Sequence, residues 1–537
     1  MSLSDALLPL GERAWLLPAA SPRAAAALAT TLRRVVPSAV EVVAGFSSVV
    51  VVHDGSLEAS FVTALDERGL EDFVTPRRHI VPVALDGPDV PEALERTSLT
   101  FDELCQTIAG ASFEVAVVGF SPGFAYLAGL DGPLASLPRR ATPRPRVPAG
   151  SFAVASSMAA IYPQATPGGW WLLGRSNALV FDAKKAEPAL FAPGDLVTFK
   201  VVEDLDLGQP EIAARLPLEP PPGVAPALKV IAAPPLCCVV DEGRSGVAHL
   251  GVPCGGAADP ERALIAKLLV GGASSIEVSA PGLELEVLAD VVVALVDLGG
   301  TVDGRTVPDA TPLALRSGQR LVVRSVGRGQ RGYLGVSGGA LIASMLGSMV
   351  TDALSSTGPG FLAPGDLLGG GRSHEVRTSA RLAGEPSPVR LRFVEGPHAS
   401  ETGSVDGVLA TLSATSSKVG LRFDPVDGPI AWSAPPIESM PVVTGALQLP
   451  PDGRPVMLGP DHATLGGYPI VGVVIQADLG SAGRLSPGDE VVFERVSLEE
   501  AHRAAVERAA AVASGIGPRG SSSPAWLSAE RAQGDAW

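Results

Sequence analysis

The stretch ATPGGWWLLGR (residues 165–175) has a counterpart far along the chain, ATLGGYPIV (463–471), and the two share a Thr-x-Gly-Gly-aromatic core. A glycine pair alone only shapes a tight turn. What recurs is the setting. Each copy follows a Pro/Gly turn, Pro148-Ala149-Gly150 in one and Pro450-Pro451-Asp452-Gly453 in the other. Each precedes a strand introduced by Pro-Gly-Asp, APGDLVTFKVV (192–202) and SPGDEVVFERV (486–496). Three landmarks in one order at similar spacing predict that one β-fold occurs twice.

A chain of 537 residues is too long for a single core, which predicts two to four domains. Its 61 Gly and 49 Pro favour many short strands over long helices. The net charge of −16 is spread along the chain, with no Lys/Arg stripe interleaved with aromatics, which argues against nucleic-acid binding. Cys105, Cys237, Cys238 and Cys254 form no CxxC pair and no metal spacing with a His, so free thiols in a reducing cytosol and no metal are expected. The start MSLSDALLPLGERAW lacks a basic n-region, and no apolar run nears the roughly 18 residues needed to span a bilayer. The expectation is a cytoplasmic protein with no membrane association.

The pattern predicts a mainly β fold with a small α/β lobe. Residues 1–84 form the lobe, with strands over 13–17 and 39–52, a helix over 21–35 started by Ser21 and Pro22, and a second helix from Leu57. Residues 85–203 form the first β domain and 204–226 a Pro-rich linker. Residues 227–513 form the second β domain, with helices over 260–269 and 498–512 and a strand-to-helix passage over 333–346. Residues 514–537 read as a disordered tail.

Two GxSxG patterns invite an acyl-transfer reading. In the first, Gly119-Phe120-Ser121-Pro122-Gly123, Pro122 has no N–H for an oxyanion hole. The second, Gly335-Val336-Ser337-Gly338-Gly339, lies in a chain too β-rich for an α/β-hydrolase sheet. No Walker loop, HExxH or EF-hand loop is present.

Longer motifs carry a family resemblance. GFSPGFAYLAGL (119–130), PRRATPRPRVPAGS (138–151) and IYPQATPGGWWLLGR (161–175) resemble the first subunit of the bacterial 5-oxoprolinase, or allophanate-hydrolase-like, pair. DEGRSGVAHLGVPCGGAADPERALIAKLLVG (241–271), RGYLGVSGGA (331–340) and GALQLPPDGRPVMLGPDHATLGGYPIVGVVIQADLG (445–480) resemble the second. The resemblance implies a fusion of two subunits, each with a cyclophilin-like β-barrel, similar to the carboxyltransferase region of urea carboxylase. It implies ATP-dependent opening of 5-oxoproline to glutamate with a separate, lactam-utilisation-type third subunit, and no biotin attachment here. ATP is expected to be held jointly with that partner, and self-association is left open. Relatives that inhibit a sporulation kinase, or antagonise the inhibitor, imply a regulatory alternative. The chain departs from the family pattern at Ile108, Ser156–Ala159, Lys267, Gly272 and Ser417–Lys418.

Lactam opening requires a polarised carbonyl and a neutralised anion, for which glycine N–H groups and arginines are suited. Thr166, Gly168 and Gly169 with Arg144, Arg146 and Arg175 form one expected substrate surface. Thr464, Gly466, Gly467 and Tyr468 form the other, with Asp461 for proton transfer and Lys418 for positive charge.

Overall fold

The computed structural model describes residues 7–55, 61, 76–205, 215–325, 331–371, 375–382, 384, 386–431 and 437–518. β1 (Leu8–Pro9), β2 (Ala14–Pro18), β3 (Ala39–Ala44) and β4 (Ser48–His53) form an antiparallel sheet in the order β1-β2-β4-β3. α1 (Pro22–Val35) starts where expected, with the Ser21 hydroxyl accepting the Ala24 N–H at 3.2 Å. Its apolar side, Ala25, Leu28 and Leu32, covers Leu17, Val49 and Val51. The opposite sheet face, Leu10, Leu16 and Val50, packs on Met440, Ala446 and Val473 of the second barrel. The helix expected from Leu57 lies outside the described residues.

Seven strands form the first barrel: β5 (Arg78–Val83), β6 (Phe113–Val118), β7 (Ala125–Ala128), β9 (Ser151–Ala155), β10 (Met158–Ile161), β12 (Trp171–Arg175) and β13 (Leu196–Val201). A satellite pair, β8 (Arg144–Val147) and β11 (Thr166–Gly168), lies beside it. The first and last strands, β5 and β13, pair in parallel, and the Ala84–Arg175 bridge brings β12 back to β5. Two helices that the sequence pattern did not predict, α2 (Val90–Thr97) and α3 (Phe101–Gly110), cap the interior with Val90, Ala93, Leu104 and Ile108. A signal for α3 was present: Thr100 and Glu103 form a capping box.

The second barrel repeats this plan. Val389–Glu395, Leu409–Leu412, Gly420–Pro425, Ala446–Gln448, Val456–Leu458, Ile470–Val474 and Glu490–Arg495 stand round a closed barrel in the same order as β5, β6, β7, β9, β10, β12 and β13. Its first and last strands are again parallel. Met440–Pro441 pairs with Leu465–Gly466 as β8 pairs with β11. The Pro-Gly-Asp landmarks are one device used twice: Asp195 accepts from Ala192 N at 2.9 Å and Asp489 from Ser486 N at 2.8 Å, across turns whose Gly194 and Gly488 have φ near +90° (+88° and +90°).

Between the barrels in sequence, six- and five-stranded antiparallel sheets pack face to face through Leu228, Leu285, Val293 and Leu334. α4 (Pro260–Val270) covers the outer face of the five-stranded sheet. α5 (Gln476–Gly483) and α6 (Leu498–Gly515) lie against the second barrel, tied to α4 by Arg484–Asp259 and Arg508–Glu261. The helix expected after Arg331–Val336 does not form. Gly338 and Gly339 take φ of +74° and +106°, and Ser337 is held in a turn, its hydroxyl donating to Gly371 O at 2.6 Å. That turn is no nucleophile elbow. No helix among the described residues is long and apolar enough to cross a membrane.

Barrel closure depends on a glycine. A Cβ on Gly174 would stand 2.1 Å from Ala84 O, a backbone atom that cannot step aside. Gly174→Ala is expected to lower stability by about 1–3 kcal/mol. Gly169→Ala, where the nearest atom is 3.6 Å away, should be close to neutral, both read from thermal unfolding.

Candidate functional site at the seam of the two barrels

The two Thr-x-Gly-Gly loops occupy equivalent places. In the first, Gly168 lies opposite Arg144, and a Cβ there would be 2.3 Å from the Tyr162 hydroxyl oxygen. In the second, a Cβ on Gly466 would be 2.4 Å from Gln448 Nε2. The first glycine of each pair therefore makes room for a polar side-chain end. The second, Gly169 or Gly467, meets nothing closer than ordinary contact.

The loops come together across the barrels. Leu465 inserts into an apolar cluster on the outer face of the first barrel, with Phe124, Tyr126, Tyr162 and Trp170. The 119–123 turn lies against it: a Cβ on Gly119 would be 2.3 Å from Leu465 Cδ1 and 3.2 Å from Thr464 Oγ1. Phe120 in this turn has φ +71°, a conformation that is strained for a bulky residue.

The arginines of the first surface already have partners. Arg144 Nη2 meets Asp89 at 2.5 Å, and Arg140 meets Asp89 at 3.3 Å and Glu92 at 3.0 Å while lying 4.7 Å from the Trp171 ring. Arg175 Nε lies 3.0 and 2.9 Å from the two Asp86 oxygens. Arg146 is exposed. Arg144 keeps Nη1 buried and without a hydrogen-bond partner among the described residues, whereas an anionic ligand would have to displace Asp86 to use Arg175. Those carboxylates, just after β5 and at the start of α2, carry no motif that would single them out in the sequence.

Lys418 and Asp461 do come together, in a buried polar group joining the second barrel to the five-stranded sheet. Lys418 Nζ donates to Gly256 O at 2.8 Å and lies 3.4 Å from Glu277 Oε1 and 3.8 Å from Asp461 Oδ1. Glu277 Oε2 accepts from Ala258 N at 2.8 Å and from the Tyr333 hydroxyl at 2.9 Å. Asp461 Oδ2 accepts from Ala353 N at 2.8 Å. Glu277 is not among the residues expected from the sequence, though a Glu inside the strand Ser275–Ser279, whose neighbours are buried, is a readable sign of an internal partner.

Burial alone would lower the Lys418 pKa, but Glu277 and then Asp461 outweigh it and hold the ammonium above its usual range. Burial likewise pushes Glu277 up, and Lys418 and Arg331, with the hydrogen bonds from Ala258 and Tyr333, together more than reverse it. Asp461, the more distant carboxylate, keeps the burial effect: its pKa is pushed up to about 6, with Lys418 pulling it back only in part. The two carboxyls around one ammonium thus differ in their readiness to take up a proton.

Several buried polar atoms on the two loops and the elements touching them lack a hydrogen-bond partner among the described residues: Asp461 Oδ1, Thr464 Oγ1, Ser121 Oγ, Thr166 Oγ1, Gln164 Nε2, Arg144 Nη1, and Nε and Nη1 of Arg244. An unmet buried polar group costs about 1–3 kcal/mol. The seam is therefore suited to a small polar occupant. Tyr468, 47% exposed, stands at its outer edge. Among the described residues no group of His, Cys, Asp and Glu is placed to hold a metal ion.

Comparison with known proteins agrees with this duplicated architecture. The family model for carboxyltransferase domain, subdomain C and D, matches residues 6–191, and that for subdomain A and B matches residues 250–495. A 5-oxoprolinase subunit of Escherichia coli (strain K12) is 32% identical over 296 residues, 52% of this chain and 94% of that protein. A different 5-oxoprolinase subunit, from Haemophilus influenzae, is 36% identical over 175 residues, 31% of this chain and 81% of that protein. The chain belongs to the 5-oxoprolinase and allophanate-hydrolase-like carboxyltransferase family. The solved structure of TTHA0988 matches with a TM-score of 0.78 at 31% identity, covering 90% of this chain and 99% of that one. Urea amidolyase of Saccharomyces cerevisiae is 27% identical over 296 residues, only 16% of that longer protein.

A carboxyl whose folded pKa lies above its unfolded value stabilises the fold at low pH and loses that contribution as pH rises. For Asp461 the window runs from 3.8 to about 6. Between pH 4 and 7 the parent should therefore lose stability relative to Asp461→Asn by roughly 2–3 kcal/mol, measured by denaturant unfolding of both proteins at each pH. In the Glu277→Gln background that difference should move to lower pH, because Lys418 then has Asp461 as its main carboxylate.

Proposed function

We propose that this chain is a component of an ATP-dependent 5-oxoprolinase-like amidohydrolase that opens a small lactam or amide, 5-oxoproline to glutamate, together with a separate third subunit. The two relatives named as different 5-oxoprolinase subunits support this reading. The observation that carries it is the buried Lys418–Asp461 pair beside the second Thr-x-Gly-Gly loop, in which Asp461 Oδ1 faces the ammonium at 3.8 Å and makes no hydrogen bond among the described residues.

Opening the ring consumes one water, whose hydroxyl ends on the carbonyl carbon and whose proton ends on the freed amine. Asp461 is assigned the proton transfer, and Lys418 holds positive charge against the anion that develops. The hydroxyls of Thr464, Thr166 and Ser121 are suited to orienting a polar substrate in the seam. Gly168, Gly169, Gly466 and Gly467 allow close packing there.

The loop arginines fit a triphosphate poorly, because Arg144 and Arg175 are each paired with a carboxylate, Arg144 keeping only a buried Nη1 spare among the described residues, and Arg146 is exposed. The nucleotide is therefore assigned to the third subunit or to a surface shared with it. Asp461 is fully buried, so a substrate reaches it only when the seam parts, which gives partner binding a role.

Mixing the chain with its third subunit should give 5-oxoproline-dependent ATP hydrolysis, and Asp461→Asn should lower kcat by about 10²–10⁴. Complex formation without turnover would overturn the reading. The closed seam favours one alternative, a regulatory protein that binds a histidine kinase; lowered autophosphorylation in a defined mixture is its signature.

A further inference from the structure

A cleft of about 650 Å³ lies on the other side of the 119–123 turn from Leu465, where three parts of the molecule meet. α1 contributes Ala26, Ala29 and Arg33. The first barrel contributes Val118 and the 185–195 segment with Phe191, and the 247–250 turn contributes His249 and Leu250. Its size falls within the range of small-molecule sites, and its walls are largely apolar with a few polar groups converging on them.

The charges in the cleft are unevenly matched. Arg77 is satisfied by Asp195 at 2.7 Å and Glu187 at 3.3 Å, and Asp195 also meets His79 at 3.0 Å. Arg33 makes two hydrogen bonds, both to Val42 O, at 3.3 and 2.9 Å, leaving Nη1 unengaged among the described residues. Glu41, which acts on Arg33 through space, accepts from Val247 N at 3.3 Å and Ala248 N at 3.1 Å. Lys185, on the exposed rim, has no carboxylate within ion-pair distance among the described residues. His249 is held neutral by burial and then by Arg33, its pKa lowered to about 4. In a chain of net charge −16, this cleft gathers two cations that make no ion pair within 4 Å among the described residues, Arg33 feeling Glu41 only at longer range, against apolar walls.

We propose that this cleft is a binding site for a small organic carboxylate with an apolar body, its charge facing Arg33 and Lys185 and its body lying on α1, Val118 and Phe191. The proposal is independent of the reaction assigned to the seam. It has a structural bearing on it all the same, because Leu250 in the cleft wall accepts from Gly123 N at 2.8 Å, in the strained turn that meets Thr464 and Leu465.

Isothermal titration of the full chain with benzoate, and with its neutral isostere benzamide, tests the proposal. Benzoate should bind at one site and benzamide about tenfold or more weakly, since a charge-assisted contact is lost. Lys185→Glu should weaken benzoate by about tenfold or more. Ala186→Trp, at an exposed rim position, should block the cleft, and Asp461→Asn should leave binding unchanged. Circular dichroism of each variant checks that the fold is kept. Absence of benzoate binding, equal affinity for benzamide, or benzoate binding unaffected by Ala186→Trp overturns the proposal.

Discussion

Both faces of the N-terminal sheet are apolar, α1 packing on one and the second barrel on the other, and that two-sided contact sets the arrangement of the molecule. In β4 the run Val49, Val50, Val51 alternates between faces: Val49 and Val51 meet α1, and Val50 meets the second barrel. Side chains alternate across a strand, so consecutive valines cannot all be buried by one layer. Val43 and Phe46 from the same sheet reach the outer face of the first barrel. One small sheet thus brings together two barrels that lie hundreds of residues apart in the chain.

The seam follows from that contact. With the second barrel seated on the lobe, its Leu465 enters the aromatic face of the first barrel, and the strained 119–123 turn is caught between them. Behind Leu465, Lys418 links Glu277 of the five-stranded sheet to Asp461 of the barrel loop. Unequal sharing of one ammonium between two buried carboxylates separates their behaviour: Glu277 is held below the usual carboxylate range, and Asp461 is pushed up to about 6. The same desolvation that makes Asp461 costly to the fold makes it chemically responsive.

Much of this was legible beforehand. The Pro-Gly-Asp turns at Asp195 and Asp489, the Thr-x-Gly-Gly loops and the Ser21 cap are local devices whose residues are adjacent, and each stands where the sequence put it. The helix expected after Val336 failed because Gly338 and Gly339 take left-handed conformations that turn the chain toward Gly371. The expectation that Arg144 and Arg175 are open anion-binding groups lacked their partners, since Asp86 and Asp89 lie more than fifty residues away.

Sequence by itself determined the repeat, the β-rich class and the residue types gathered at the two loops, because turns, caps and alternation are set by neighbours within a few positions. Only the tertiary structure decided which charges are matched, that Asp461 and Lys418 share a buried site with Glu277, and that the two loops meet through Leu465. Those outcomes depend on burial and on distances between segments far apart in the chain, and no local pattern encodes them. The glycines of the opening stretch show both sides: their duplication was visible at once, but the reason for Gly168, the Tyr162 hydroxyl lying over it, exists only once the barrel has closed.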